Sequence, residues 1–171
     1  MSFLEIWDLY TIERIKTNKT HNRGDEIPKG FYHIGVEILT IIDSKKILLT
    51  QRHRDKHFGL FWECTGGSLI KDEISIEGAI RELHEEIGLV VEPDELNFVS
   101  EYLSEDTIYD VYVTYQKKSC LGNLKLQEEE VVDFQCVSFE EFNFLLANEV
   151  VVPKLKYFNN LIEDNKINLN T

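Results

Sequence analysis

The feature that most constrains this chain is the segment 67–89, in which a helical pattern carries several carboxylates on one side. Apolar residues recur at helical spacing over residues 76–87, which predicts an amphipathic helix. On a wheel at about 100° per residue, Glu82, Glu85 and Glu86 share an arc of about 100° beside the apolar stripe. Like charges three and four residues apart weaken a helix, so the arrangement calls for an explanation.

Two interpretations of these carboxylates are open. Most Glu-rich helix faces are simply solvated, but such faces usually mix charge signs, and here only Arg81 borders the arc. The other interpretation is a divalent cation, because Mg²⁺ binds oxygen ligands and keeps positions for water and phosphate oxygens. The absence of basic residues within the arc favours the metal site.

The overall charge bears on the ligand. Lys plus Arg is 18 and Asp plus Glu is 31, so the net charge of −13 disfavours a protein that neutralises a nucleic-acid backbone. A small anionic substrate stays compatible, since metal ions bring phosphates into acidic clefts. Three cysteines without a C-x-x-C pair predict reduced thiols. No apolar run reaches the roughly 18 to 20 residues of a membrane span, so we expect a cytoplasmic protein without membrane contact.

The 171 residues suit a single α+β domain over residues 1–171. We predict an N-terminal hairpin and loop over residues 1–32, with a strand at 4–10, a return strand at 12–16 and a loop at 19–30. A capping box at Ser138 and Glu141 predicts a helix start, and Pro153 opens a last helix over about 153–165. Further strands are predicted at 33–42, 47–52, 61–65, 96–102, 108–117 and 131–137.

The segment 67–89 resembles the Nudix box, whose signature is G-x5-E-x7-R-E-U-x-E-E-x-G-U, with U an aliphatic residue. The resemblance implies the Nudix fold, an α/β/α sandwich with a mixed β-sheet. It also implies a protein that acts on a small-molecule diphosphate, as a monomer or a homodimer. Every specified position is filled, by Gly67, Glu73, Arg81, Glu82, Leu83, Glu85, Glu86, Gly88 and Leu89.

The resemblance also implies roles for individual residues. The three box glutamates would bind Mg²⁺ or Mn²⁺, helped by the backbone carbonyl of Gly66. Arg81 would orient them and pair with Glu73, while Gly67 and Gly88 would shape the backbone. A further acid is expected after the box, and Glu130 is our candidate, as metal ligand or general base. The implied metal ligands are Glu82, Glu85, Glu86, Gly66 and Glu130, and the implied catalytic residues are Glu85, Glu86, Arg81 and Glu130.

The implied reaction is hydrolysis of a diphosphate linked to another group, with a glutamate taking the proton of the attacking water. Residues that could grip the rest of the substrate are less well marked. Arg52 and Arg54, with Lys56 and His57 nearby, could hold a distal phosphate or simply close a hairpin. Trp62 could wall a substrate pocket or pack into the core.

A looser similarity points to one branch of the family. Residues 5–10, 20–24, 28–33 and 130–135 resemble Nudix proteins related to isopentenyl-diphosphate isomerase. That enzyme requires a cysteine directly before the box glycine, and this chain has Cys64 two residues earlier than needed. On an extended strand the displacement is about 6 to 7 Å, too far for the same proton transfer.

Metal-binding histidines of the isomerase would correspond to His21 and His33, but Ser68 stands where another is expected. The box keeps the full hydrolase acid set, which favours a metal-dependent hydrolase. An isomerase acting on isopentenyl diphosphate, and a ligand-sensing Nudix module without turnover, are the two alternatives.

Overall fold

A mixed β-sheet between two layers of helices forms the frame of the protein. The computed structural model describes residues 5–170. The central strand, β3 (His33–Ile42), is buried along its whole length. It runs parallel to β8 (Thr107–Gln116) on one side and antiparallel to β4 (Lys46–Arg52) and β6 (Thr65–Ser68) on the other. The outer strands are β5 (Trp62–Glu63), β7 (Asn97–Ser104) and β9 (Val131–Val137).

Side-chain alternation along β3 produces the two layers. Val36 and Ile38 belong to the core cluster that includes buried residues of α1 (Ser75–Ile87). Leu39 and Ile41 belong to the opposite cluster, which includes residues from α2 (Phe139–Ala147) and α3 (Tyr157–Glu163). The predicted α+β class and α/β/α sandwich with a mixed β-sheet are thereby confirmed.

Most predicted elements lie where the sequence patterns put them. Helix α1 begins one residue before the predicted start. At α2, the Ser138 hydroxyl accepts from the backbone N–H of Glu141, and the Glu141 carboxylate accepts from the backbone N–H of Ser138. The helix predicted over 153–165 is shorter, with a 3₁₀ turn, Pro153–Lys156, leading into α3. None of the helices in the described part of the chain is long and apolar enough to cross a membrane.

The N-terminal hairpin corrects two predictions. Strand β1 is Ile6–Tyr10, and the predicted residue Leu4 lies outside the described residues. The return strand β2 is Lys16–Asn22, so the prediction of a return strand at 12–16 and of a loop beginning at residue 19 was wrong. A turn with Arg14 at φ 62° occupies that span. Strand β2 could not be predicted from its polar sequence, because its residues are mostly exposed and lack an apolar alternation.

Contacts with the loop before α1 fix this hairpin to the domain. The backbone carbonyl of Ile6 accepts from Lys71 N–H at 2.7 Å, and buried Asp8 accepts from the N–H of Asp72 at 2.7 Å. Trp7 stacks on His33 at the start of β3, with ring centroids 4.3 Å apart. The hairpin is therefore held against the segment that leads into the carboxylate-rich helix.

His33 predicts an acid sensitivity. Burial lowers its pKa from 6.5 to about 4, so the folded state binds the proton less well than the unfolded chain does. The stability that follows from neutral His33 is complete above about pH 6.5 and is lost as the pH falls through 4. We expect the wild type to lose on the order of 2 kcal/mol more than His33→Gln over this interval, by urea unfolding. Exposed His84→Gln is the control, and equal losses in all three proteins would contradict the assignment.

Candidate active site

A cavity of about 210 Å³ lies at the sheet edge beside α1. The box helix contributes Glu82, Glu85 and Glu86 to its wall, and strand β6 contributes Gly66 and Gly67. Glu130, from the segment before β9, lines the same cavity. Residues separated by up to 64 positions in sequence therefore meet in one acidic pocket, as predicted for the metal-ligand set.

Arg81 holds the carboxylates of this pocket in place. Its Nε donates to Glu73 Oε1 at 2.8 Å and its Nη2 donates to Glu73 Oε2 at 3.0 Å. On the other side, Nη1 donates to Glu82 at 2.8 Å and to Glu85 at 2.9 Å. Burial alone would lower the pKa of Arg81, but hydrogen bonds and the charges of Glu73 and Glu82 raise it. The guanidinium is thus a permanent cation that orients two of the predicted metal ligands.

Glu86 provides the test of whether a divalent ion fits. Its side chain is 5% exposed, and its buried Oε2 lacks a hydrogen-bond partner among the described residues. Burial raises the pKa of Glu86 well above the usual range, and the nearby charges of Glu63 and Glu82 add to this shift. A buried carboxylate oxygen without a partner is costly, and a bound cation would satisfy it. The donor set of hard oxygens suits Mg²⁺ or Mn²⁺.

The described carboxylates do not by themselves form a closed three-ligand cluster. Arg81 occupies an oxygen of Glu82 and an oxygen of Glu85, which accounts for the open arrangement. Burial also raises the pKa of Glu82, with Arg81 opposing the shift. Glu82 and Glu86 therefore stand in surroundings that penalise their ionised forms.

Two glycines make room for this arrangement. A Cβ on Gly67 would lie 2.1 Å from Glu82 Oε1, and a Cβ on Gly66 would lie 2.4 Å from the backbone oxygen of Val36. Gly88 ends α1 in the left-handed region at φ 68°, where its N–H donates to the His84 carbonyl. Gly66 and Gly67 therefore allow the close approach of their surroundings to the backbone, and Gly88 ends helix α1.

The comparisons with known proteins agree with this geometry. Residues 31–158 match the NUDIX domain family.

The chain belongs to the Nudix family.

An uncharacterised Nudix hydrolase of Listeria monocytogenes is 31% identical over 152 residues, which cover 88% of this chain and 89% of that protein. The fold is similar to that of DR0079 from Deinococcus radiodurans, with a TM-score of 0.70, 16% identity and coverage of 86% and 91% of the two chains. It is also similar to the NUDIX domain of Shewanella oneidensis NrtR complexed with ADP ribose, with a TM-score of 0.62, 19% identity and coverage of 82% and 94%. The predicted enzyme class, a Nudix hydrolase, is confirmed by the family match and by the Listeria relatives, and the two solved structures show the fold.

The loop before β9 places Glu130 in the Nudix site. Backbone N–H groups of Lys125 and Gln127 donate to the carbonyls of Ile87 and Glu86, which ties the loop to the end of α1. Lys56 pairs with Glu130 Oε2, and Arg23 lies 3.9 Å from Glu130 Oε1. Lys56 and, at the longer distance, Arg23 are the cations next to Glu130 in the lining of the cavity.

Part of this cavity comes from residues that no sequence pattern marks. Glu5, Trp7 and Arg23 reach it from the N-terminal hairpin, outside the range matched to the family. Arg23 pairs with Glu5 at 2.9 Å. Their contribution depends on the docking of β1 and β2, and no local pattern in residues 5–23 marks these side chains as site residues.

A second cavity of about 410 Å³ adjoins the first. Arg52 lines it and pairs with Glu63 at 2.5 Å, whereas the other two predicted substrate residues do not join it. Arg54 is exposed outside both cavities, and Trp62 packs against the core cluster on the α2 side. The core interpretation of Trp62 is the one that the packing supports. The walls of both cavities contain Arg23, Lys56, Gly66, Gly67 and Ser68.

Of the side chains considered for isomerase chemistry, Cys64 lines the second cavity, and the two histidines lie elsewhere. Burial raises the pKa of the Cys64 thiol well above the usual range, with the charge of Glu37 adding to the shift. His21 contacts the Asp25 carbonyl at 3.0 Å, and His33 contacts the Thr107 hydroxyl at 2.6 Å. Neither histidine is among the described residues that line the two cavities. The comparisons name hydrolases and give the isomerase branch no support.

Gly67 offers a direct test of the local geometry. Gly67→Ala places a methyl group against the Glu82 carboxylate and should displace it. We expect this variant to lose most of the Mg²⁺-induced rise in melting temperature, measured with and without EDTA. Gly122→Ala is the matched control, since a Cβ there meets nothing within 4 Å. An unchanged Mg²⁺ response in Gly67→Ala would show that Glu82 does not take part in metal binding.

Proposed function

We propose that this Nudix protein is a metal-dependent hydrolase that cleaves a diphosphate linkage in a nucleoside diphosphate linked to another group, or in a related small molecule. The observation that carries the proposal is the buried, partnerless oxygen of Glu86 in a pocket that it shares with Glu82, Glu85 and Glu130. A solvated charged face would not bury one of its glutamates to 5% exposure. The relatives named as Nudix hydrolases support the same reaction class.

The metal site would consist of the three box glutamates with the Gly66 carbonyl. When bound there, Mg²⁺ or Mn²⁺ would supply positive charge to the phosphate oxygens. Arg81 orients Glu82 and Glu85 through its hydrogen bonds, and Glu73 fixes Arg81 from behind. Glu130 is the further carboxylate of the pocket, positioned by Lys56 to act as a ligand or to take a proton from water.

The substrate would be a small molecule rather than a polymer. The metal-site pocket has room for a diphosphate, and the adjoining cavity has room for the group attached to it. ADP ribose, which the Shewanella domain binds, belongs among the first compounds to be tried. The charge of −13 argues against nucleic-acid polymers as partners. A cytoplasmic monomer or homodimer stays our expectation.

The reaction can be tested with a panel of diphosphate compounds in the presence of Mg²⁺ or Mn²⁺. The panel includes ADP ribose, NADH, nucleoside triphosphates, coenzyme A and isopentenyl diphosphate, with phosphate or nucleotide release as the signal. We expect at least one compound to be cleaved, and Glu86→Gln to reduce its turnover by about 100-fold or more. Glu129→Gln is the control, because Glu129 is an exposed carboxylate in the same run as Glu130.

Three results would contradict the proposal. Equal turnover in wild type and Glu86→Gln would show that Glu86 takes no part in metal binding or catalysis. Isopentenyl diphosphate with a shifted double bond and no released phosphate would identify an isomerase. Binding of a panel compound without any turnover would identify a ligand-sensing module.

A further inference from the structure

The two adjoining cavities have opposite charge. The metal-site cavity is lined by five glutamates and two basic residues. The second cavity is lined by four Arg or Lys residues and two glutamates. Each of the four basic residues pairs with a glutamate, and three of these partners, Glu5, Glu37 and Glu130, lie outside the lining of this cavity. The cavity beyond the metal carboxylates is therefore suited to an anion.

Lys154 is the basic residue of this cavity that the structure fixes most firmly. It follows Pro153 at the beginning of the 3₁₀ turn, and its ammonium lies 4.8 Å from the centre of the Tyr109 ring. The same ammonium pairs with Glu37, a residue of β3 that is 1% exposed. Burial lowers the pKa of Lys154, but the charge of Glu37 and the hydrogen bond to it, together with nearby Tyr109 and Cys64, raise the pKa overall. Lys154 is thus a fixed cation in the cavity wall.

Glu37 itself is held by more than Lys154. Its Oε2 accepts from the hydroxyl of Tyr102 at 2.8 Å and from the hydroxyl of Tyr157 at 2.6 Å. The network joins β3, β7 and α3, so it anchors the lysine to the rigid sheet rather than to a loop. An ammonium has three N–H donors, and pairing with Glu37 leaves donors for a ligand. A preorganised side chain loses little conformational entropy when it binds.

We propose that the second cavity is an anion subsite in which Lys154 binds a phosphate group of the substrate that the metal carboxylates do not hold. Glu37, Tyr102 and Tyr157 are positioning residues for this lysine, and Arg52 is a second cation on the same wall. Taken with the proposed function, on which the identity of the substrate rests, the subsite favours diphosphate compounds that carry a phosphate at some distance from the cleaved linkage.

The test measures binding of inorganic phosphate in EDTA, where neither metal nor turnover contributes, by calorimetry and by melting temperature. We expect Lys154→Met to weaken phosphate binding by about tenfold or more, because it removes a charge-assisted hydrogen bond. Lys154→Arg should restore much of it. Lys156→Met is the matched control, since Lys156 is exposed, two residues away and outside both cavities.

A double variant separates binding from folding. Lys154→Met alone leaves Glu37 without its cation, so it can lose stability for reasons unrelated to a ligand. Glu37→Gln combined with Lys154→Met removes both charges, and it should fold yet still bind phosphate about tenfold more weakly or worse. Phosphate binding equal to wild type in the folded double variant would show that Lys154 only neutralises Glu37 and would overturn the inference. Since no turnover is measured, this result is independent of the hydrolysis assay.

Discussion

The bidentate pairing of Arg81 with Glu73 is the interaction on which the geometry of the acidic cavity depends. It anchors the guanidinium to the loop before α1, and this leaves the other side of the guanidinium free to hold Glu82 and Glu85. Without the anchor, Arg81 would be free to neutralise the glutamates in many geometries. With it, the guanidinium fixes the spacing of carboxylates that otherwise repel one another.

This arrangement of carboxylates lowers the stability of the folded state. Burial raises the pKa of both Glu82 and Glu86, which means that the fold penalises the ionised form of the groups that the chemistry needs. An apolar residue at position 86 would avoid this penalty, as Leu83 and Ile87 do at the neighbouring, fully buried positions of the helix. The cation of the proposed metal site would relieve this penalty.

How far the sequence predicts this protein depends on how local each feature is. The carboxylate cluster of the box could be predicted because its residues lie within one helix and its flanking loop. Their spacing alone puts Glu82, Glu85 and Glu86 on one side of the helix. Strands such as β3 were readable from their aliphatic runs. Strand β2 was not, since it is polar and exposed on an N-terminal hairpin that is held by tertiary contacts. The pairing of Lys154 with Glu37 could not be predicted either, because it is also a tertiary contact. The two charged residues lie 117 positions apart in the sequence.

The same division between local and long-range features applies to function. The Nudix box is common to the family. Its geometry is set by contacts within one short segment. In the function proposed above, selection among substrates would instead depend on side chains from distant parts of the chain: Arg23 from the N-terminal hairpin, Arg52 from β4 and Lys154 from the turn before α3. Arg23 lies outside the range matched to the family, and it lines both cavities. A side chain at that junction would contact both the diphosphate end and the distal end of a ligand that spans the cleft. Changes in the hairpin should then alter which compound is cleaved and leave the carboxylates of the box in place.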